Sequence, residues 1–197
     1  RSASGPMTIC SDACDVVCEP VSVPCVGSNG EPKCPTQKEV LMQFVERTFR
    51  DALGATVIQS RLRPGATRQD LERQMFPGLE VGLPGWQRAH SQGAGTGFES
   101  PNAIRYAPES VNQQYQRLGI ERHLRELFSH KPPDVELWLT TATSTHPRTL
   151  RLKEIQYRLD AVRGTQSRRL FEASIAVSDS RDSPRVTVHA TAFGTFS

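Results

Sequence analysis

Residues 150–159 read LRLKEIQYRL, a stretch in which apolar and polar side chains alternate. Successive side chains of a β-strand point to opposite faces of a sheet, so this alternation predicts a strand with one buried face. The same pattern occurs in 135–140, and two further strands are expected at 169–177 and 185–193. Short turns rich in Gly, Ser, Asp and Pro join these segments, which predicts an antiparallel meander of roughly four strands.

Helical spacing dominates the chain before Pro133. Thr36 and Glu39 form a capping box, and apolar residues then recur at three- and four-residue intervals as far as Gly54. Three further segments share this spacing: 67–76, 108–118 and 120–128. Helices followed by strands predict an α+β fold, with N-terminal helices and a glycine-rich loop at 81–101 preceding the roughly four-stranded antiparallel sheet.

The cysteines predict a division of the chain near residue 35. All five lie in residues 1–34, where four acidic residues against two basic ones give a formal charge of −2, and the total of +3 leaves +5 for the rest. Their odd number and the lack of tight C-x2-C pairs favour disulfides or thiols over zinc. We expect a cysteine-containing arm or linker at 1–35 and an α+β domain at 36–197, together forming a piece of a longer protein.

The charge of the chain permits a polyanionic ligand without requiring one. The predicted domain carries mostly arginine, whose planar guanidinium suits phosphate. No apolar run approaches the roughly 18 residues that a membrane-spanning helix needs, so the sequence predicts a soluble protein without a membrane partner.

A glycine-rich segment at 85–100, GWQRAHSQGAGTGFES, contains the first candidate catalytic group: Arg88, His90 and Glu99. Glycines allow a backbone to pass close to a ligand, and a histidine can exchange a proton near neutral pH. An ordinary surface loop, with its histidine bonded to backbone, is the alternative interpretation.

A second candidate group lies on a predicted strand and the turn after it. Its members are hydroxyls, an imidazole and cations: Thr140, Thr141, Thr143, Ser144, Thr145, His146, Arg148, Arg151 and Lys153. Metal-independent ribonucleases use such groups to activate a ribose hydroxyl and to hold phosphate. The alternative is an ordinary strand with a solvated face. The other three histidines, His123, His130 and His189, are interpreted as structural.

The order Arg88-x-His90, a glycine-rich loop and a helix that carries Asn112 resembles the core of the His-Me finger nucleases. Gln87 and Ala89 stand where the DNA/RNA non-specific endonuclease branch has aspartate and glycine. The resemblance implies that His90 activates water, that Arg88 sits near the phosphate, and that Asn112 binds a divalent metal ion such as magnesium.

A wider set of segments resembles the polymorphic toxin type 4 module of secreted bacterial effectors: PGWQRAH (84–90), GFES (97–100), IRYAP (104–108), TLRLK (149–153) and LFEASI (170–175). The resemblance implies secretion by a bacterium, delivery into a target cell and action in its cytoplasm. It also implies a cognate immunity protein and a larger effector whose delivery portion precedes the toxin. The arm at 1–35 would then be the tail of that portion.

Three hypotheses follow for the function. The first is an antibacterial effector domain that hydrolyses nucleic acid, assisted by a divalent metal, with His90 as general base. The second is a metal-independent ribonuclease centred on His146 and its neighbouring threonines. The third is a non-catalytic module whose glycine-rich loop binds a partner protein. A glycosylase or transferase reaction also stays open, because Arg, Glu and Thr clusters serve those reactions as well.

Overall fold

A computed structural model describes residues 44–64, 84–98 and 100–196, and the fold below concerns these residues alone. The helix predicted at 67–76 lies outside them, as does the cysteine-containing arm at 1–35. The division into arm and domain therefore stays a prediction. In the described part of the chain, no helix has the length and apolar character required to cross a membrane.

The described residues form eight strands and two consecutive helices. The strands are β1 (Arg47–Arg50), β2 (Thr56–Arg61), β3 (Trp86–His90), β4 (Ile104–Pro108), β5 (Glu136–Thr145), β6 (Leu152–Arg163), β7 (Gln166–Val177) and β8 (Val186–Ala192). The helices are a π-helix (Val111–Ile120) and α1 (Glu121–His130). Two short 3-10 turns, Ala94–Thr96 and Pro101–Ala103, lie between β3 and β4.

Six strands form one antiparallel sheet in the order β1-β2-β5-β6-β7-β8, and β3 and β4 pair as a separate antiparallel ribbon. The four strands expected after Pro133 are present as β5 to β8. The predicted α+β class with N-terminal helices is wrong, because the described chain is mostly β and its helices lie between β4 and β5. The loop expected at 81–101 contains β3.

In the described residues from 44 onward, a β-hairpin stands in place of the helix that was expected to end at Gly54. Arg47–Arg50 pairs with Thr56–Gln59, and the chain reverses at Asp51. The Asp51 carboxylate accepts hydrogen bonds from the backbone N–H groups of Leu53 and Ala55, both at 2.9 Å. Aspartate stabilises turns in this way, and strand pairing then satisfies backbone groups that a helix would have satisfied internally. Pairing within this hairpin, and of β2 with the distant β5, outweighs the helical spacing of the apolar residues.

The two faces of the large sheet differ in chemistry. Apolar residues on one face, including Leu139, Leu159 and Ile175, are fully buried and form the main core with Ala89 of β3 and Leu124 of α1. The alternate residues of β5 to β8 are mainly polar and form the other face, which we call the polar face. The functional candidates therefore divide between the buried side and the polar face.

Candidate functional site

His90 lies at the end of β3, where the chain leaves the strand for the glycine-rich loop. It pairs with Ile104, and Arg88 pairs with Tyr106 of β4. His90 and Arg88 are both partly buried, and their separation by two residues places them on the same face of the ribbon. Glu99 lies outside the described residues, so its role stays a prediction.

A buried glutamine anchors the beginning of the glycine-rich loop. Gln92 is 1% exposed, and its Oε1 accepts a hydrogen bond from the hydroxyl of Ser60 at 2.6 Å. Its Nε2 lies 3.2–3.3 Å from the carbonyls of Ile58 and Leu139 and from Oγ1 of Thr141. The loop is thereby tied to β2 and β5. Sequence reasoning missed this residue, because no local pattern shows that a glutamine in a glycine-rich stretch is buried.

The π-helix supplies a second contact to the same region. Nε2 of Gln116 donates to the backbone carbonyl of His90 at 2.7 Å and to the hydroxyl of Tyr157 at 2.6 Å. Glu121, directly after the π-helix, packs against the loop so closely that a Cβ added to Gly93 would lie 3.0 Å from its Oε1. Gln116 thus joins the backbone of His90 to the phenol of Tyr157, and the Glu121 carboxylate lies against the loop that follows His90. We call His90, Gln116, Glu121 and Tyr157 the loop site.

Two arginines border the loop site. Nη1 of Arg125 lies 3.8 Å from the Glu121 carboxylate, one turn away on α1, and about half of its side chain is exposed. Arg88 shares the ribbon face of His90. The loop site therefore combines groups that can exchange protons with cations that can bind an anion.

Burial raises the pKa of Tyr157 well above its ordinary value, and the charge of Glu121 raises it further, whereas the hydrogen bond from Gln116 acts in the opposite direction. A raised pKa means that the folded state retains the proton longer than the unfolded state. This contribution to stability is complete below the unfolded pKa near 10 and declines as the pH rises above it.

We expect the substitution Tyr157→Phe to remove this alkaline decline. Above pH 10 the free energy of unfolding of the wild type should fall relative to that of the variant by up to about 1.4 kcal/mol per pH unit. At pH 8 the variant should differ only through the lost hydrogen bond, by about 1 kcal/mol. Urea unfolding at pH 8, 10 and 11 measures both quantities. Parallel curves for the two proteins across this range would contradict the assignment.

The structure places Asn112 on the π-helix, where its side chain contacts β3. Its Nδ2 donates to Oε1 of Gln87 at 3.2 Å, and the amide of Gln113 approaches the same oxygen at 3.4 Å. Gln87 and His90 are three residues apart on β3 and so point to opposite faces. Among the described residues, no contact joins the side chain of Asn112 to His90.

The surroundings of Asn112 do not fit a divalent metal. Hard cations prefer carboxylate and water oxygens, and the side-chain contacts of Asn112 are with an amide. Within the described ranges, no three His, Cys, Asp or Glu side chains are grouped so that they could hold an ion. The metal role of Asn112 stays a prediction, and we derive no chemical step from it.

His146, the centre of the alternative site, is only 7% exposed and makes structural contacts. One ring nitrogen, Nε2, lies 2.8 Å from the carbonyl of Val177, and the backbone N–H donates to the carbonyl of Arg151 at 3.1 Å. The other ring nitrogen lies 4.0 Å from Asp179, whose carboxylate accepts a hydrogen bond from Arg151. The imidazole thus ties the end of β5 to the turn after β7.

The threonines expected beside His146 are divided between the two faces of the sheet. Thr141 and Thr143 are fully buried on the core side, and Thr140 lies on the polar face. Alternate residues of a strand point to opposite faces, so one strand cannot present all three to a single substrate. The catalytic role of His146 stays a prediction that these contacts do not favour.

A cleft of about 460 Å³ lies on the polar face, across β5 to β8. Thr140, Arg158, Glu172 and Thr191 lie directly opposite one another on successive strands and contribute to its lining. His189 also lines it, opposite Ser174 and diagonal to Glu172. The interpretation of His189 as purely structural missed this placement. Its register with β7, which creates the placement, is not visible in the local sequence.

A nearly buried carboxylate organises the cations of the cleft. Asp160 accepts from Nε of Arg158 at 2.7 Å and from Nε of Arg169 at 3.2 Å, one arginine on each carboxylate oxygen. Arg169 also donates to Glu172 through Nη1. Because each arginine uses its Nε for Asp160, the positions of both guanidinium groups are fixed at one end of the cleft.

Comparison with known proteins distinguishes the loop site from the cleft by the part of the chain in which each lies. Residues 83–165 match the model of a family described as bacterial toxin 4. This match supports a polymorphic toxin domain, as the resemblance predicted. No curated protein and no solved structure matches the chain. The resemblance to His-Me finger nucleases finds no support in these comparisons.

The segment that matches bacterial toxin 4 begins just before β3 and ends just after β6. All four residues of the loop site, together with Arg88 and Arg125, lie within it. The cleft is shared, because Glu172 and His189 lie on β7 and β8, after the matched segment ends. The loop site is therefore the one contained in the part of the chain that resembles a toxin.

Proposed function

We propose that this domain is a ribonuclease toxin whose active centre is the loop site. The observation that carries the proposal is the position of His90: it lies where β3 enters the glycine-rich loop, Glu121 packs against Gly93 of that loop, and the whole group lies inside the segment that matches bacterial toxin 4. Histidine and a carboxylate are the groups from which enzymes most often build proton transfer.

The chemistry follows from those groups. His90 takes the proton of a ribose 2′-hydroxyl, the 2′-oxygen attacks the neighbouring phosphorus, and the bond to the 5′-oxygen breaks. Water protonates the departing oxygen, which leaves a 2′,3′-cyclic phosphate and a 5′-hydroxyl. Glu121 stabilises the imidazolium that forms, and Arg88 and Arg125 bind the phosphate oxygens. RNA is the proposed substrate because its own hydroxyl serves as the nucleophile.

The toxin match also supports a proposal for the biological setting. The domain would be the toxic end of an effector that a bacterium secretes and delivers into the cytoplasm of a target cell. A cognate immunity protein would neutralise it in the producing cell. The arm at 1–35 would connect it to the delivery portion of the effector.

Incubation with nucleic acids tests the reaction. We expect the purified chain to degrade total RNA and to leave plasmid DNA intact. The rate of RNA degradation should be the same when a chelator of divalent cations is present. The products should carry 2′,3′-cyclic phosphate ends, which mass spectrometry of a short cleaved oligoribonucleotide identifies. Chelator-sensitive cutting would instead favour the metal-assisted scheme predicted around Asn112, and intact RNA in every condition would favour a non-catalytic module.

The cleft on the polar face is a second candidate for the same reaction. Glu172 and His189 occupy diagonal positions on neighbouring strands of this cleft, and such positions lie about 7–8 Å apart. Arg158 lies directly opposite Glu172. A general base and a general acid at such a separation can act on opposite sides of one phosphorus atom. This cleft replaces His146 as the centre of the metal-independent ribonuclease hypothesis on the sheet.

A further inference from the structure

Arg105 of β4 is a buried cation whose described partners are all uncharged. It is 9% exposed. Nη1 donates to the backbone carbonyls of Asn102 and Ile104, both at 2.8 Å, and Nη2 donates to Oγ1 of Thr56 at 2.9 Å. Among the described residues, no carboxylate forms an ion pair with this guanidinium. A buried charge without a counter-ion is costly, so this arrangement calls for an explanation.

A second cation lies near the first. Arg50, at the end of β1, is directly opposite Thr56 in the β1–β2 pairing. Burial lowers the pKa of Arg105, and the positive charge of Arg50 lowers it further. Arginine nevertheless keeps its proton in proteins, so both groups carry charge and repel each other. An anion between or beside them would relieve this repulsion.

Two buried polar atoms in the same neighbourhood make no hydrogen bond in the described structure. They are Nε of Arg105 and Oγ1 of Thr143. Thr143 is fully buried and lies directly opposite Thr56 on β5. Side chains at opposite positions share a face of the sheet, with Cβ atoms about 4.5–5.5 Å apart. An N–H group and a hydroxyl that both lack an acceptor fit a ligand that only accepts hydrogen bonds.

We propose that Arg105, Arg50, Thr56 and Thr143 form a binding site for a tetrahedral oxyanion, namely a phosphate group. Two guanidinium groups and two hydroxyls supply more donors than a carboxylate with two oxygens can use, whereas phosphate offers up to four oxygens. The site takes free inorganic phosphate or a phosphate of a nucleic acid, since the two share this chemistry. It shares no residue with the loop site and does not depend on the proposed ribonuclease activity.

Thermal unfolding of the full chain tests the site with inorganic phosphate as the probe. We expect a saturable rise in Tm of about 3–6 °C when phosphate reaches ten times its dissociation constant, compared with sodium chloride at equal ionic strength. Arg50→Gln should lose most of this rise. Arg61→Gln serves as the matched control, because Arg61 is an exposed arginine of the same hairpin, on the polar face.

The variant Thr143→Val separates binding from folding. Valine keeps the shape of threonine and removes a buried hydroxyl without a partner, so without phosphate the Tm should be equal or higher. With phosphate, most of the rise should disappear. A rise that is unchanged in both Thr143→Val and Arg50→Gln, or no saturable rise in the wild type, would overturn the proposal.

A single-stranded DNA oligonucleotide distinguishes the two sources of phosphate. DNA lacks the 2′-hydroxyl, so the proposed reaction does not consume it. If the oligonucleotide raises the Tm in a manner that requires Thr143, the site binds nucleic-acid phosphate, and if only inorganic phosphate does so, the site binds the free ion. His90→Ala should keep the phosphate-dependent rise, so failure of the ribonuclease proposal would be distinguishable from failure of this one.

Discussion

Replacing His90 with alanine is expected to lower the rate of RNA cleavage by about 10²–10⁴-fold, the usual contribution of a general base. The same variant should lose its toxicity when it is expressed in bacterial cytoplasm without an immunity protein. The physical reason is that alanine cannot take the proton of the 2′-hydroxyl, while the arginines of the site still bind phosphate. The dissociation constant for a DNA oligonucleotide, measured alongside, should therefore change much less than the rate.

Two further histidine variants make this result specific. His130→Ala is the matched control, since His130 is exposed at the end of α1 and its Nδ1 forms hydrogen bonds within that helix. It should cleave RNA at the wild-type rate. His189→Ala tests the cleft on the polar face. Loss of cleavage in His189→Ala with full activity in His90→Ala would move the active centre from the loop site to the cleft.

Gly97→Ala is expected to cause the largest loss of stability among single substitutions in the glycine-rich loop. Gly97 has φ of +89°, and an added Cβ would lie 2.5 Å from the carbonyl oxygen of Arg63 and 2.6 Å from its Cβ. The backbone conformation alone costs alanine about 1–2 kcal/mol, and overpacking adds about 1–3 kcal/mol. We expect Tm to fall by about 6–12 °C, measured by thermal unfolding.

Comparison with Gly85→Ala isolates the contribution of the steric overlap with Arg63. Gly85 also has a positive φ, +74°, but nothing lies within 4 Å of the position that its Cβ would occupy. It should therefore show the backbone cost alone and lose roughly half as much stability. Equal losses in the two variants would mean that the loop can move away from Arg63, and that the close packing described here does not constrain it.

The strands β5 to β8 were accessible to prediction because their signal is local. In residues 155–159 every second side chain is apolar, and the alternation is visible without knowing what the strand pairs with. The same holds for the helical segment before Pro133. In these strands and helices, the periodic spacing of apolar residues is visible within a single continuous segment of sequence.

The strands β1 to β4 were not predicted, since their formation depends on distant partners. The β1 segment has helical spacing but pairs with β2, and β3 lies inside a stretch whose glycines indicate a loop. Strands of four to six residues are too short for alternation to stand out. Backbone hydrogen bonds to remote segments therefore decided these elements.

The candidate site shows the same division. The type and spacing of residues were sufficient to single out Arg88 and His90, because a histidine among glycines is visible in the sequence. Gln92, Gln116 and Tyr157 could not be associated with Arg88 and His90, since they lie up to 69 positions away in the chain and come close only when the helices pack on the sheet. The metal-binding role of Asn112 stays a prediction, and its hydrogen bond to Gln87 was likewise not visible in the local sequence.

Local sequence was thus enough to predict the long strands of the sheet and to single out a histidine at the start of a loop, since both are properties of neighbouring residues. Long-range packing settled which side chains surround that histidine, which polar residues face the cleft, and how Arg105 comes to be buried beside Thr56. Burial and charge pairing depend on atoms that are remote in the chain, and no local pattern contains them.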